Sequence, residues 1–116
     1  MIEITVPWPP SVNRYWRQFQ GRMIISAEGR KYREAIIQQV FIEGLVKRLT
    51  GDLKVTIEAF RPDERRRDLD NLLKSTLDAL AHAGLYEDDS QIRDLRIYWA
   101  AEKGGKLNIT IEEVTT

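Results

Sequence analysis

Residues 61–74 read RPDERRRDLDNLLK, and this stretch decides how the chain is organised. Just before it, LKVTIEAF (53–60) alternates apolar and polar residues, as a half-buried strand does. Just after it begins, Leu69, Leu72, Leu73, Leu77, Leu80 and Ala81 recur at the spacing of a helix with one buried stripe. Strand gives way to helix inside fourteen residues that carry five basic and four acidic side chains. On one helix Asp68 and Asp70 would point about 200° apart. They converge only if Asp68 precedes the helix as its N-cap and Asp70 falls in the first turn. Lys74 lies one turn past Asp70 on the same face, and Asp78 one turn further, where it can pair with Lys74. Two aspartates at a helix start also act as caps and complement the helix dipole, worth about 1 kcal/mol each. That structural role stands open beside a chemical one.

Outward from this segment the order of elements is βαβαββ. Residues 2–6, IEITV, alternate with Ile2, Ile4 and Val6 on one face, and Pro7, Pro9 and Pro10 end that strand. Residues 11–23, SVNRYWRQFQGRM, show no period and are expected to form a long loop, of the kind that carries function in small domains. Within it Asn13, Arg14 and Arg17 can contact phosphates, while Tyr15 and Trp16 either stack on unpaired bases or cover the core edge. Ser26 is placed to cap a long amphipathic helix with a basic start. Its apolar positions are Ile36, Ile37, Val40, Phe41, Gly44 and Leu45, and Gly51 is expected to close it. Gly84 is positioned as the residue just past the second helix. An acidic loop, LYEDDS (85–90), follows. The chain then reads as a β-hairpin over QIRDLRIYWAA and KLNITIEEV, turned by Gly104-Gly105. Helices alternating with strands and then a hairpin predict an α+β fold, a mixed sheet with two helices packed on it.

At 116 residues the chain is expected to be one domain. Its 42% hydrophobic and 31% charged content excludes a disordered chain, and no apolar run reaches the roughly 20 residues of a membrane span. The N-terminus has no basic stretch ahead of an apolar one, so a signal peptide is not expected and a cytoplasmic location is. No cysteine is present, and His82 is the single histidine, so thiolate and histidine-rich metal sites are excluded. The net charge of zero argues against a general nucleic-acid coat but hides local segregation. Residues 11–33 carry six basic side chains against Glu28, while Glu87, Asp88, Asp89 and Asp94 stand against Arg93. A basic front attracts a phosphodiester backbone, and an acidic pocket binds a cation. Clustered carboxylates repel unless a cation joins them, and oxygen-only ligands select Mg²⁺ or Mn²⁺. Arg65, Arg66 and Arg67 add a further positive surface for DNA.

The runs RRRDLDNLLK (65–74), EDDSQ (87–91) and PWPPSVNRYWR (7–17), with the KGG turn near the end, resemble the RusA family of Holliday-junction resolvases. The likeness extends through essentially the whole chain. It implies a homodimeric, Mg²⁺-dependent endonuclease, often prophage-encoded, that binds four-way branched DNA and cuts two opposed strands symmetrically. By matching position, Asp68, Asp70 and Asp89 would be metal-binding catalytic carboxylates. Lys74 would be the catalytic lysine and Arg67 a basic residue facing DNA, with Asp88 matching the first acid of the downstream pair. Two other classes remain open: a catalytically silent dimer that binds branched DNA, and a metal-dependent nucleotide hydrolase.

Overall fold

Apolar alternation produces strands where it was expected, but the sheet is wired differently. The computed structural model describes residues 1–114. The chain runs β1 (Ile2–Pro7), α1 (Val12–Tyr15), β2 (Trp16–Phe19), β3 (Arg22–Ile25), α2 (Ala27–Ile42), β4 (Leu53–Phe60), α3 (Leu73–His82), β5 (Ile92–Trp99) and β6 (Lys106–Glu113). Short 3₁₀ turns, Leu69–Leu72 and Asp89–Gln91, precede α3 and β5. Four strands form one mixed sheet in the order β1-β6-β4-β5, and β2 pairs with β3 in a separate ribbon. The principal order βαβαββ and the α+β class are as expected.

The terminal hairpin is not. β5 pairs parallel with β4, and β6 pairs antiparallel with β4 on its other side, so β5 and β6 never meet. The turn glycines bind the end of β4 instead: Gly104 N–H donates to the Arg61 carbonyl (3.0 Å) and Gly105 N–H to the Phe60 carbonyl (2.8 Å). Sequence alternation marks strands but carries no information on which strand lies between two others.

One face of the sheet makes the core. Leu53, Val55, Ile57 and Ala59 of β4 pack with Leu107, Ile109 and Ile111 of β6 and Ile4 and Val6 of β1. Ile36 and Val40 of α2 and Leu72, Leu77 and Leu80 cover them. The opposite face is polar, with Lys54 exposed and Thr56, Glu58, Asn108 and Thr110 half-buried.

Helix α2 begins as expected and ends early. Ser26 caps it, its Oγ accepting from Gly29 N–H at 2.9 Å. The helix stops at Ile42 rather than running to Gly51. Leu45 N–H reaches the Val40 carbonyl and Gly44 N–H the Phe41 carbonyl, with Gly44 at φ +71°, the Schellman arrangement that ends a helix. The buried face of α2 runs through Gly29, Tyr32, Ile36 and Val40, which leaves Phe41 and Ile42 in solvent, 75% and 80% exposed, and Ile37 exposed as well; Ile37 and Phe41 are thus outside the core stripe expected for them. Helix α3 ends in the same way at Gly84 (φ +88°), as expected.

The expected loop over 11–23 is ordered into α1 and the β2–β3 ribbon. Tyr15 anchors it. Its ring is buried, its carbonyl accepts from Ser26 N–H, and its hydroxyl donates to Asp78 on α3. Helix α2 approaches so closely that a Cβ on Gly29 would collide with the Tyr15 carbonyl and sit 2.9 Å from Ile25 Cγ1.

Gly29→Ala should therefore cost about 1–3 kcal/mol of stability, read as a lower midpoint in urea. The alkaline limb should report the same anchor. Burial, and then the bond to Asp78, push the Tyr15 phenol up to about 12 from its ordinary 10.0. A folded pKa above the unfolded one stabilises the protein fully below about pH 10, and that contribution is lost as pH rises through about 12. Phenolate absorbance should show Tyr15 silent until the alkaline unfolding transition.

Candidate active site

The segment leaving β4 is held by its own charges. Asp63 pairs with Arg67 through both carboxylate oxygens and accepts the Arg65 N–H at 2.9 Å. The Arg67 guanidinium, followed by that backbone bond, pulls the Asp63 carboxyl down to about 2. Glu64 bridges Lys103 (3.0 Å) and Arg61 (3.6 Å), which ties the segment to the loop before β6. Arg67 also lies over the Trp8 ring, 5.9 Å from its centroid, and Trp8 stacks on Trp99. Arg67 is thus partly a structural cation. Arg65 and Arg66 are exposed and have no ion-pair partner among the described residues.

Between this segment, the proline run and the start of α2 lies a cleft of about 1010 Å³. Arg14, Lys31, Arg65, Arg66 and Arg67 line it against Glu28 and Asp68. The Arg14 side chain is shared with Glu28 at 3.1 Å, on the surface where such a pair is weak and exchangeable. Lys31 and Asn71 are cleft residues that motif reading did not single out. Lys31 carried a signal, the basic first turns of α2. Asn13 is exposed on α1, and Arg17 packs over Phe19 at 5.2 Å on the β2 ribbon, outside the residues lining this cleft. Tyr15 is fully buried and Trp16 packs on the core, which settles them as core cover rather than base-stacking rings.

Asp68 has extended backbone (φ −98°, ψ 134°) immediately before the 3₁₀ turn, the placement its convergence with Asp70 requires. Its side chain makes no cap hydrogen bond. Asp70 is exposed in that turn, and Lys74 is exposed one turn later at the start of α3. Lys74, Asp78, His82, Asp88 and Asp89 line a second, acidic depression of about 330 Å³. The expected Lys74–Asp78 pair is absent: Asp78 takes Arg33 Nη2 at 2.8 Å and the Tyr15 hydroxyl instead.

The downstream acids divide by role. Asp88 caps the Asp89–Gln91 turn. Its Oδ2 accepts from Ser90 N–H at 3.1 Å, while Gln91 Oε1 takes the N–H groups of Asp88 (2.7 Å) and Glu87 (2.9 Å). The bond from Ser90 holds the Asp88 carboxyl below its ordinary value. Asp89, exposed beside it, has no partner among the described residues.

So the structure brings Asp89 to Lys74 and Asp68 to the arginines, but not Asp68, Asp70 and Asp89 to one point. Among the described residues no three carboxylate or histidine side chains stand close enough together to hold one ion. The donor chemistry nonetheless fits a hard divalent cation, since the three unengaged acids offer only oxygen. Drawing them together requires such a cation, because like charges at close range otherwise suppress one another's ionisation.

Comparison with known proteins matches residues 7–112 to the family described as Endodeoxyribonuclease RusA. The chain is 47% identical over 112 residues to the crossover junction endodeoxyribonuclease RusA of Enterobacteria phage 82, covering 96% of this chain and 93% of that one. The protein of that name from Shigella sonnei (strain Ss046) is also 47% identical, and that of Escherichia coli (strain K12) 46%, with the same coverage.

The division between engaged and unengaged acids has a direct consequence. Asp88→Ala should lower stability by about 1 kcal/mol through the lost cap, measured by chemical denaturation. Asp68→Ala and Asp89→Ala should leave stability unchanged or slightly raised.

Proposed function

The chain belongs to the RusA family of endodeoxyribonucleases, and from that premise we propose how its own residues resolve a Holliday junction. It is a phosphodiester hydrolase acting on branched DNA in recombination. The observation that carries the mechanism is the adjacency of two unlike surfaces: a cleft lined by Arg65 and Arg66, which have no ion-pair partner among the described residues, and a depression lined by both exposed Lys74 and Asp89. Asp68 and Asp70 lie on the segment that joins them.

Phosphates enter along the basic cleft, where Arg65, Arg66, Lys31 and Arg14 neutralise the backbone and release its counterions. Arg67, already held by Asp63, shapes the cleft wall as well as adding charge. Asn13 and Arg17 extend the contact along α1 and β2. Members of this family use a divalent metal, and we infer Mg²⁺, replaceable by Mn²⁺, held by Asp68, Asp70 and Asp89. When bound there, such an ion would supply Lewis acidity toward a phosphoryl oxygen. Lys74, with no carboxylate partner among the described residues, is available to stabilise the negative charge that develops on the phosphate. Asp88 supports Asp89 by fixing the turn it stands on.

A four-way junction has approximate two-fold symmetry, and two opposed cuts need two sites related by the same axis. We therefore infer a homodimer. The exposed Phe41 and Ile42 on α2 are apolar area that a second copy would remove from water. Among the described residues no helix is long and apolar enough to cross a membrane; we infer that the protein works on DNA in the cytoplasm.

Asp70→Asn or Asp89→Asn should abolish cleavage of a synthetic four-way junction in Mg²⁺, while junction binding persists or strengthens because phosphate repulsion has gone. Near-normal cutting by either would remove these residues from the site. Lys74→Ala should lower the rate more than the affinity. Arg66→Ala should weaken binding and reduce the slope of log K against log salt by about one.

A further inference from the structure

We propose that Asp78 is a positioning residue, which sets the phosphate-facing segment α1 in register with the catalytic lysine on α3. The inference rests on the endonuclease reading above. Helix α1 is four residues long, and its N-cap Ser11 makes no side-chain cap bond, so it does not hold its own shape. Asn13 and Arg14 project from it into solvent. Ser75 of α3 donates to the Pro10 carbonyl ahead of α1 at 3.0 Å, and within α1 itself the tie to α3 is Tyr15, whose hydroxyl donates to Asp78 Oδ2.

The same oxygen receives Arg33 Nη2 from α2 at 2.8 Å, with both side chains only 20% exposed. His82 Nε2 stands 3.7 Å from the other oxygen. Asp78 thus joins three helices at one carboxylate. It lies one turn past Lys74, in the depression that also holds Asp89. Two effects follow. Rotation of α1 is locked to the helix that bears Lys74. The Asp78 charge is also spent on Arg33, so Lys74 is left free for phosphate although a carboxylate sits at the i+4 position, where an ion pair would ordinarily form.

A plain staple between helices would show the same contacts, so the test must separate placement from stability. Single-turnover cleavage at saturating enzyme, junction affinity without a cleaving metal, and thermal midpoint should be measured for wild type, Tyr15→Phe, Asp78→Asn, Lys74→Ala and the double variant Tyr15→Phe/Lys74→Ala. Tyr15→Phe and Asp78→Asn should each slow cleavage about tenfold or more, with a smaller change in affinity. In the Lys74→Ala background Tyr15→Phe should cost nothing further, since the lysine with which it sets α1 in register is gone. An unchanged saturating rate would overturn the inference, as would additive losses that track a falling thermal midpoint. Should wild type itself leave the junction uncut, the endonuclease reading falls and takes this inference with it. A cutting wild type with an unaffected Tyr15→Phe removes the inference alone.

Discussion

Strand β4 pairs parallel with β5 on one edge and antiparallel with β6 on the other, and this one arrangement constrains the rest of the molecule. A parallel neighbour cannot be reached by a tight turn, so the chain must leave the carboxyl end of β4, cross the sheet and return to its amino end. Helix α3 is that crossover. The arginine-rich segment is consequently placed where β4 ends, and the acidic turn where β5 begins. Lys74 and Asp78 lie along the helix between them. The same topology spreads the acids over the length of a crossover, which is why Asp68 faces the basic cleft and Asp89 the acidic depression.

Within that frame the charged side chains divide into those already engaged and those left open. Asp63 holds Arg67, Glu64 holds Lys103, Asp88 caps a turn and Asp78 joins Tyr15 to Arg33. None of these is free to meet a substrate without giving up a contact that shapes the surface. Arg65, Arg66, Lys74, Asp68, Asp70 and Asp89 carry no such obligation among the described residues. A protein with equal numbers of acidic and basic groups can still present one strongly basic cleft. Pairing elsewhere removes the compensating charges from it.

Termination of α2 shows the same economy in the backbone. Gly44 takes a left-handed conformation, so that its own N–H and that of Leu45 satisfy two carbonyls of the last turn, and redirects the chain so that Arg48 and Leu49 can pair beside the acidic turn. Gln91 then binds the carbonyls of Leu49 (2.9 Å) and Gly51 (2.8 Å), which fixes the turn bearing Asp89. A helix continued to Gly51 would have removed that support.

The elements were legible because they rest on local pattern: alternation for β1, β4 and β6, a turn signal beside an apolar-rich run for β5, a 3.6-residue stripe for α3, a serine cap for α2. Part of the site was legible for the same reason. The spacing of Asp68, Asp70 and Lys74 around a helix start is a local fact, and Asp68 does lie outside the helix, as convergence demands. Strand order was not legible, since nothing in residues 92–113 states that β4 lies between them. Nor was the partner of Asp78. Sequence offers Lys74 four residues away, and tertiary packing supplies Arg33 and Tyr15 from distant segments that bury beside it. Sequence by itself determined which residues alternate, cap and carry charge. Only the folded chain decided which charges neutralise one another, because that depends on distances across the core rather than along the chain.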